Sequence, residues 1–270
     1  MDARVQRRVQ RYGWDLAAAS YEPTWRAQLA PAQQALLAGA ALVPGERVLD
    51  VACGTGIVSV AAAQAVGAHG TVVGIDLSNA MVEAARRVAL PNAAFARMDA
   101  EQLEFADAHF DVALCALGLM YLPDPERALA EMRRVLRPGG RIALAVWGER
   151  ARCGWAALFG IVDAEVASEV CPLFFRLGQG DALAHACAEV GFVDVATQRL
   201  ATTLAYADGD AACDAAFVGG PVALAWSRFD PAVRTRACAR YLDAIAAWRD
   251  GAGRYRVPGE FVIVTARMPP

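Results

Sequence analysis

Between Arg47 and Trp147 the apolar positions fall into short β-branched runs that alternate with longer Ala-rich stretches of helical spacing. This is the pattern of βαβ units laid on a parallel sheet. The runs predict strands at Arg47–Val51, Thr71–Asp76, Ala94–Arg97, Phe110–Leu114 and Arg141–Val146. Helical spacing predicts helices at Gly56–Val66, Asn79–Val88 and Pro125–Leu136, the last stopped by Arg137-Pro138-Gly139-Gly140. After Trp147 the alternation gives way to an aromatic-rich stretch, with helices expected at Cys153–Val170 and Asp181–Val190. Strands return at Val193–Tyr206 and Glu260–Met268, and between them Asp230–Trp248 reads as one long amphipathic helix.

The bulk numbers narrow the function. A chain of 270 residues that is 56% hydrophobic and only 20% charged, with mean hydropathy +0.29, buries a sizeable core and has apolar surface left for a pocket. A net charge of −3 supplies no basic face, so nucleic acid is not an expected partner. All 26 basic residues are arginine, which excludes a Schiff-base lysine and the lysine of a phosphate-binding P-loop. The seven cysteines (Cys53, Cys115, Cys153, Cys171, Cys187, Cys213, Cys238) are scattered and never form a C-x-x-C pair, so neither a disulfide framework nor a zinc site is expected. No His, Cys and carboxylate cluster has ligand spacing, and no metal is expected. The basic N-terminus has no apolar run behind it, and no stretch approaches 18 apolar residues. The expectation is a cytoplasmic protein without stable membrane insertion, a monomer or homodimer.

The chemistry concentrates after the first strand. Val48-Leu49-Asp50-Val51-Ala52-Cys53-Gly54-Thr55-Gly56 runs from a strand through a glycine turn into a helix, which lets backbone approach a ligand and presents free N–H groups to an anion. The next strand ends at Asp76, 76 − 56 = 20 residues on, where an acidic side chain meets the hydroxyls of a ribose. Both features suit a nicotinamide dinucleotide as well as S-adenosylmethionine. The dinucleotide fingerprint, however, wants a third glycine where this chain has Ser59, and hydride transfer loses ground.

VLDVACGTG, GIDLSNAMVEAA, MDAEQLEF and FDVALCALGLMYLPDPERALAEMRRVLRPGGRIALAVW, in this order, resemble the motifs of class I S-adenosylmethionine-dependent methyltransferases. The nearest resemblance is to the branch that includes the ubiquinone and menaquinone biosynthesis methyltransferases. It is strong over residues 45–148 and weak on the flanks. It implies an α/β fold, Rossmann-like and doubly wound, with a mostly parallel seven-stranded sheet and helical cap insertions. Residues 1–45 would then be a helical lid, 46–150 the S-adenosylmethionine-binding core, and 151–270 cap segments plus the last strands of the same sheet.

Carried over residue by residue, the resemblance puts Asp50 and the turn Ala52, Cys53, Gly54 and Gly56 against the methionine portion. Asp76 falls on the ribose, Leu77 and Met81 on the adenine faces, and Asp99 and Ala100 on the adenine amino edge. Ala52 departs from the commoner glycine. Cys115 and Ala116 would line the wall beside the sulfonium, where many relatives carry Ser or Asn. In the resembled branch the N-terminal segment folds over the cofactor, and a tyrosine in the place of Tyr21 reaches the methionine carboxylate.

Methyl transfer needs in-line approach, proximity and desolvation rather than a catalytic triad. The aromatics Trp155, Phe159, Phe174 and Phe175, with Met120, are candidates for an apolar acceptor pocket, and Phe217, Trp226 and Phe229 add to the cap. Equally, such aromatics form a small second core or an interface. Tyr121 is a candidate for orienting an acceptor oxygen, and His69, His109 and His185 are not read as general bases. The sequence therefore reads as a methyltransferase that moves a methyl group to a small, largely apolar acceptor and leaves S-adenosylhomocysteine. The alternatives are an S-adenosylmethionine-binding protein of the same fold with a non-methylation chemistry, or a non-catalytic scaffold subunit.

Overall fold

The computed structural model describes residues 3–166 and 174–270. Nine α-helices among the described residues, α1 (Ala3–Ala40), α2 (Ile57–Val66), α3 (Asn79–Arg86), α4 (Pro125–Val135), α5 (Ala157–Asp163), α6 (Ala182–Glu189), α7 (Gly209–Cys213), α8 (Ala223–Arg228) and α9 (Pro231–Ala244), surround one sheet. Its strands are β1 (Arg47–Val51), β2 (Thr71–Asp76), β3 (Ala93–Arg97), β4 (Phe110–Ala116), β5 (Leu136–Trp147), β6 (Val193–Tyr206) and β7 (Tyr255–Arg267). The order is β3-β2-β1-β4-β5-β7-β6, with β3 through β5 mutually parallel and β7 antiparallel to both of its neighbours. This is the doubly wound, seven-stranded Rossmann-like arrangement that the family resemblance implies.

The central strands are continuous apolar runs because helices cover them on both faces. Val48, Leu49 and Val51 of β1 and Val112–Cys115 of β4 are all fully buried. Strand order reverses between β1 and β4, so the loops leaving their carboxyl ends part there and open a crevice.

The expected single helix Asp230–Trp248 is α9 followed by a separate 3₁₀ turn at Ala246–Trp248, and three other elements depart from the sequence expectation by five residues or more. β5 begins at Leu136 rather than Arg141, because the Arg-Pro-Gly-Gly stop is a kink inside the strand, with Gly139 at φ +73° and the register against β4 shifting between Phe110 and Val112. β7 begins at Tyr255 rather than Glu260. Its register with β5 ends at Trp147 opposite Phe261; beyond that, residues 255–260 continue against β6, with Pro258 opposite Thr203. In the stretch expected to be helical over Cys153–Val170, a 3₁₀ turn at Gly154–Ala156 leads into the short α5, and residues 167–170 lie outside the described part, as does Cys171.

The N-terminal segment is one 38-residue helix, α1, despite Pro23 and Pro31 within it. Each proline removes one donor from the helical ladder. Packing compensates: Trp25, Leu29, Ala32, Leu36 and Ala40 form a buried stripe that shares the main core with β4, β5 and β7. The guanidinium of Arg141 closes the helix end, donating to the carbonyls of Ala40 and Ala41 while it pairs with Glu46 at 2.7 Å. No helix among the described residues is long and apolar enough to cross a membrane.

The second half of α1 is therefore core. Leu36→Ala is expected to lower unfolding free energy by about 2–5 kcal/mol, whereas Leu16→Ala, at a half-exposed position, changes it by less than about 0.5 kcal/mol. Denaturant melts of the two variants check this, and equal effects would remove α1 from the core.

Candidate functional site

A cleft enclosing about 1060 Å³, open mouth included, lies at the switch point between β1 and β4 and is roofed by α1. Its floor is the turn after β1. Ala52, Gly54 and Gly56 there have φ of +55°, +55° and +86°, a left-handed conformation that glycine adopts freely and alanine does not. The Ala52 methyl is accommodated from across the switch point, in the turn after β4: a Cβ on Gly118 would lie 2.3 Å from it. The glycine missing at position 52 is matched by one at 118.

Asp76, at the end of β2, fastens this turn. Its carboxylate accepts the N–H of Gly54 at 2.9 Å and the N–H of Ser78 at 2.8 Å. Ser78 caps α3, accepting the N–H of Met81, and donates its hydroxyl to Asp15 of α1 at 2.6 Å. Asp15 also accepts the N–H of Ala80. The roof is thus tied to the floor by a hydrogen-bonded chain, and a second tie runs from Arg7 to Asp99 at 3.0 Å and to Glu101.

Asp50, fully buried at the end of β1, accepts the Ser59 hydroxyl on one oxygen at 2.5 Å, while the other has no partner. Burial raises its carboxyl to about 7, with the charge of Asp76 adding to the shift, and burial likewise raises Asp76 to about 6. The Cys53 and Cys115 thiols are pushed up by burial, Cys115 to about 12, so neither is a thiolate at neutral pH.

The structure brings Tyr21, Ala52, Gly54, Asp76, Leu77, Met81, Asp99, Ala100, Ala116, Tyr121 and Trp155 together around this cleft. Asp50 and Cys53 line a smaller recess that joins it at Tyr21, Ala52, Gly54 and Ala116. Gly56 sits behind the turn, where a Cβ would press on Ala85 and the ring of Phe95. Cys115 and Met120 are buried in the core and line neither space. Phe159, Phe174 and Phe175 also stand back. They pack on one another and on Trp155, forming a buried aromatic cluster behind the wall, which Phe174 extends to the ring of Tyr121. No histidine is among the lining residues.

Sequence reasoning missed Arg7, Gln10, Arg11, Leu29, Trp147 and the Gly220-Pro221 loop, all of which line the cleft. For α1 a signal existed. Positions 7, 10/11, 14, 21, 25 and 29 share one helical face, and the inward stripe is legible once the segment is taken as a single helix. Trp14, the hub of this face, meets Tyr21 and Tyr121 edge-on at 5.8 and 5.1 Å.

The raised Asp50 carboxyl has a sign. Its folded value lies above its ordinary value of 3.8, so the folded state holds the extra proton between about pH 4 and 7, and the ionised buried carboxylate destabilises the ligand-free protein above pH 7. Asp50→Asn is expected to be more stable than the parent by about 1–3 kcal/mol at pH 8, with the gap closing toward pH 4.5. Chemical denaturation of ligand-free protein at both pH values measures the gap; one that does not depend on pH would reject the assignment.

Residues 48–140 match the family model described as a methyltransferase domain. Over 104 residues the chain is 44% identical to the ubiquinone/menaquinone biosynthesis C-methyltransferase of Ectopseudomonas mendocina, covering 37% of this chain and 41% of that protein. Over 106 residues it is 42% identical to the 2-phytyl-1,4-naphtoquinone methyltransferase of Synechococcus elongatus, covering 37% of this chain and 46% of that one. The chain thus spans less than half the length of these relatives. Among solved structures, the YcgJ protein of Bacillus subtilis superposes with a TM-score of 0.62 at 18% identity, covering 88% of this chain and 98% of that one. The cyclase SpnF gives 0.56 at 22%, covering 88% and 80%. At such identities the likeness is one of fold. Through residues 48–140 the chain resembles the class I S-adenosylmethionine-dependent methyltransferases, among them those of the ubiquinone/menaquinone branch.

Proposed function

We propose that this protein binds S-adenosylmethionine and transfers its methyl group to a small, largely apolar acceptor. The observation that carries the reading is the division of the cleft into two unlike ends. At one end, Asp76 and Asp99 are the lining carboxylates, and Leu77, Met81 and Ala100 supply apolar walls between them. This set suits an adenosine: a carboxylate for the ribose hydroxyls, apolar faces for the base, and a polar edge at Asp99 for its amino group. At the other end, Trp25, Trp147, Trp155 and Leu29 face the space without a charged neighbour on the lining.

When bound, S-adenosylmethionine supplies an electrophilic methyl on a sulfonium. The chain's own residues orient the two reactants and exclude water. The tie from Asp15 to Ser78 and the ion pair from Arg7 to Asp99 hold α1 over the cleft, which keeps the methyl-transfer region dry. The ring cluster of Trp25, Trp147 and Trp155, with centroids 4.7–6.2 Å apart, is a rigid apolar surface on which an acceptor gains about 25 cal/mol per Å² buried. Tyr121, on the lining between the two ends, is placed to orient an acceptor oxygen. No acid–base pair lines the tryptophan end, so proximity and desolvation are the effects that act on the transfer step.

Calorimetry with S-adenosylhomocysteine tests the adenosyl end. Asp76→Ala is expected to weaken binding roughly ten- to a hundredfold, the loss of a charged hydrogen-bond partner to ribose. Unchanged binding would refute the assignment. A metabolite screen with methyl-labelled S-adenosylmethionine tests the transfer. Label recovered on a small apolar product supports it; bound S-adenosylmethionine with no label transferred to any product would favour a different reaction on the same fold.

A further inference from the structure

The outer side of α1 carries an apolar band that the fold leaves uncovered. Val5, Tyr12 and Leu16 are 40%, 47% and 51% exposed, and they are three of the six exposed large apolar side chains among the described residues. Ala19 and Pro23 are exposed as well. The five positions are spaced by 7, 4, 3 and 4 residues, which at about 3.6 residues per turn aligns them along one narrow strip of the helix. That strip is turned away from Arg7, Trp14 and Tyr21, which line the cleft.

Charge is distributed unevenly around the same segment. Residues 3–14 contain four arginines (Arg4, Arg7, Arg8 and Arg11) and no acid, a charge of +4, although the chain as a whole carries −3 and the rest of it therefore −3 − 4 = −7. Arg7 is taken up inside the molecule by Asp99 and Glu101. Arg4 and Arg8 are exposed on one flank of the band, and on the same flank the guanidinium of Arg11 sits over the ring of Tyr12 at 4.5 Å. Further along the helix acids return, but Asp15 is turned to Ser78 and Glu22 pairs with Arg26. An apolar band with a cationic flank, on a helix at the surface, is the pattern that settles into a lipid interface, with the apolar side chains at the acyl boundary and the arginines against anionic headgroups. A second copy of the chain fits less well. The band offers on the order of 300 Å² of apolar area, well below the roughly 800 Å² that each partner contributes to a stable interface.

We propose that the outer face of the first half of α1 docks the protein reversibly on an anionic lipid surface, lying on the membrane without crossing it. The arginine flank and the cleft adjoin, since Arg11 both lines the cleft and covers Tyr12. Docking therefore brings the cleft to the edge of the lipid, and an apolar acceptor dissolved there enters with little passage through water. That consequence rests on the proposed transfer to an apolar acceptor; the docking itself does not.

Co-sedimentation of the full chain with two kinds of vesicle tests it, one of phosphatidylcholine alone and one with an equal part of phosphatidylglycerol. The parent protein is expected to bind the anionic vesicles about tenfold more strongly or better, and that binding is expected to fall as salt is raised. Arg8→Glu is expected to weaken it roughly tenfold or more, because it removes a surface cation and adds an anion. Val5→Ser combined with Leu16→Ser is expected to weaken it about tenfold through lost apolar burial. Both variants should keep the parent's melting temperature and its affinity for S-adenosylhomocysteine, since none of these residues lines the cleft. A parent that stays in the supernatant with both vesicles overturns the proposal, and so does equal binding to the two vesicles or binding by the variants that matches the parent. A dimer found by sedimentation equilibrium without lipid, and dissociated by the Val5 and Leu16 changes, would assign the band to a second copy and overturn it as well. If the parent sediments with the anionic vesicles but binds no S-adenosylhomocysteine, the docking stands and the adenosyl reading falls.

Discussion

The hydrogen bond from Gly54 to Asp76 is the joint on which the rest of the site depends. The backbone after β1 turns left-handed three times in five residues, held by only two backbone bonds, Gly56 N–H to the Cys53 carbonyl and Cys53 N–H to the Ile75 carbonyl. The Asp76 carboxylate holds it from the next strand, and its other oxygen starts α3 through Ser78. Ser78 passes the connection to Asp15, so four elements (the turn, β2, α3 and α1) share one chain of hydrogen bonds. A displacement of the β2 end would move the floor and the roof together. Floor and roof are therefore set at one separation without a dedicated hinge between them.

That joint explains why α1 combines two jobs that the sequence suggests separately. Its second half, from Trp25 to Ala40, is ordinary core and anchors the helix by apolar burial. Its first half is held by polar ties, through Arg7 and Asp15, and leaves Tyr12 and Leu16 exposed on the outer side. The polar ties are few but not superficial: Arg7 reaches Glu101, which is buried, as well as the part-exposed Asp99. Pro23 stands between the two halves, where one ladder bond is missing. The helix is fixed by burial at one end and by this small set of polar contacts at the other.

Much of the sheet was legible because buried parallel strands carry their own signature. The ends of β1 and β2 agree with the sequence reading to the residue, and β3 to within one. Where it failed, a local rule was overridden by a distant partner. The stop signal Arg-Pro-Gly-Gly reads as the end of a helix and a turn, yet β4 alongside makes it a strand kink. The turn residues of the site were legible for the same local reason as the strands, since glycine and acidic residues there answer to backbone geometry. The aromatic wall was less so. Phe159, Phe174 and Phe175 look as eligible as Trp155 in sequence, but only Trp155 reaches the cleft and the phenylalanines support it from behind. Sequence reports that an aromatic is buried more readily than which face of the wall it occupies. Trp147 went unnoticed because it ends a strand that had already been accounted for.

Two buried carboxylates, Asp50 and Asp76, are both raised chiefly by burial, with the charge of Asp76 adding to the shift at Asp50, and a protein selected for stability alone would not keep them. They differ in how far the fold compensates them. Asp76 receives two backbone N–H groups and is largely satisfied by the chain itself. Asp50 receives Ser59 on one oxygen and nothing on the other, with Thr55 unpaired nearby in the same recess. The unpaid remainder is thus confined to one side of the glycine turn, where the space is small, polar and continuous with the main cleft. A site that only had to pack would distribute such deficits or remove them. Their concentration at the start of α2 leaves the polar deficit of this part of the fold on one side of the turn, next to the main cleft.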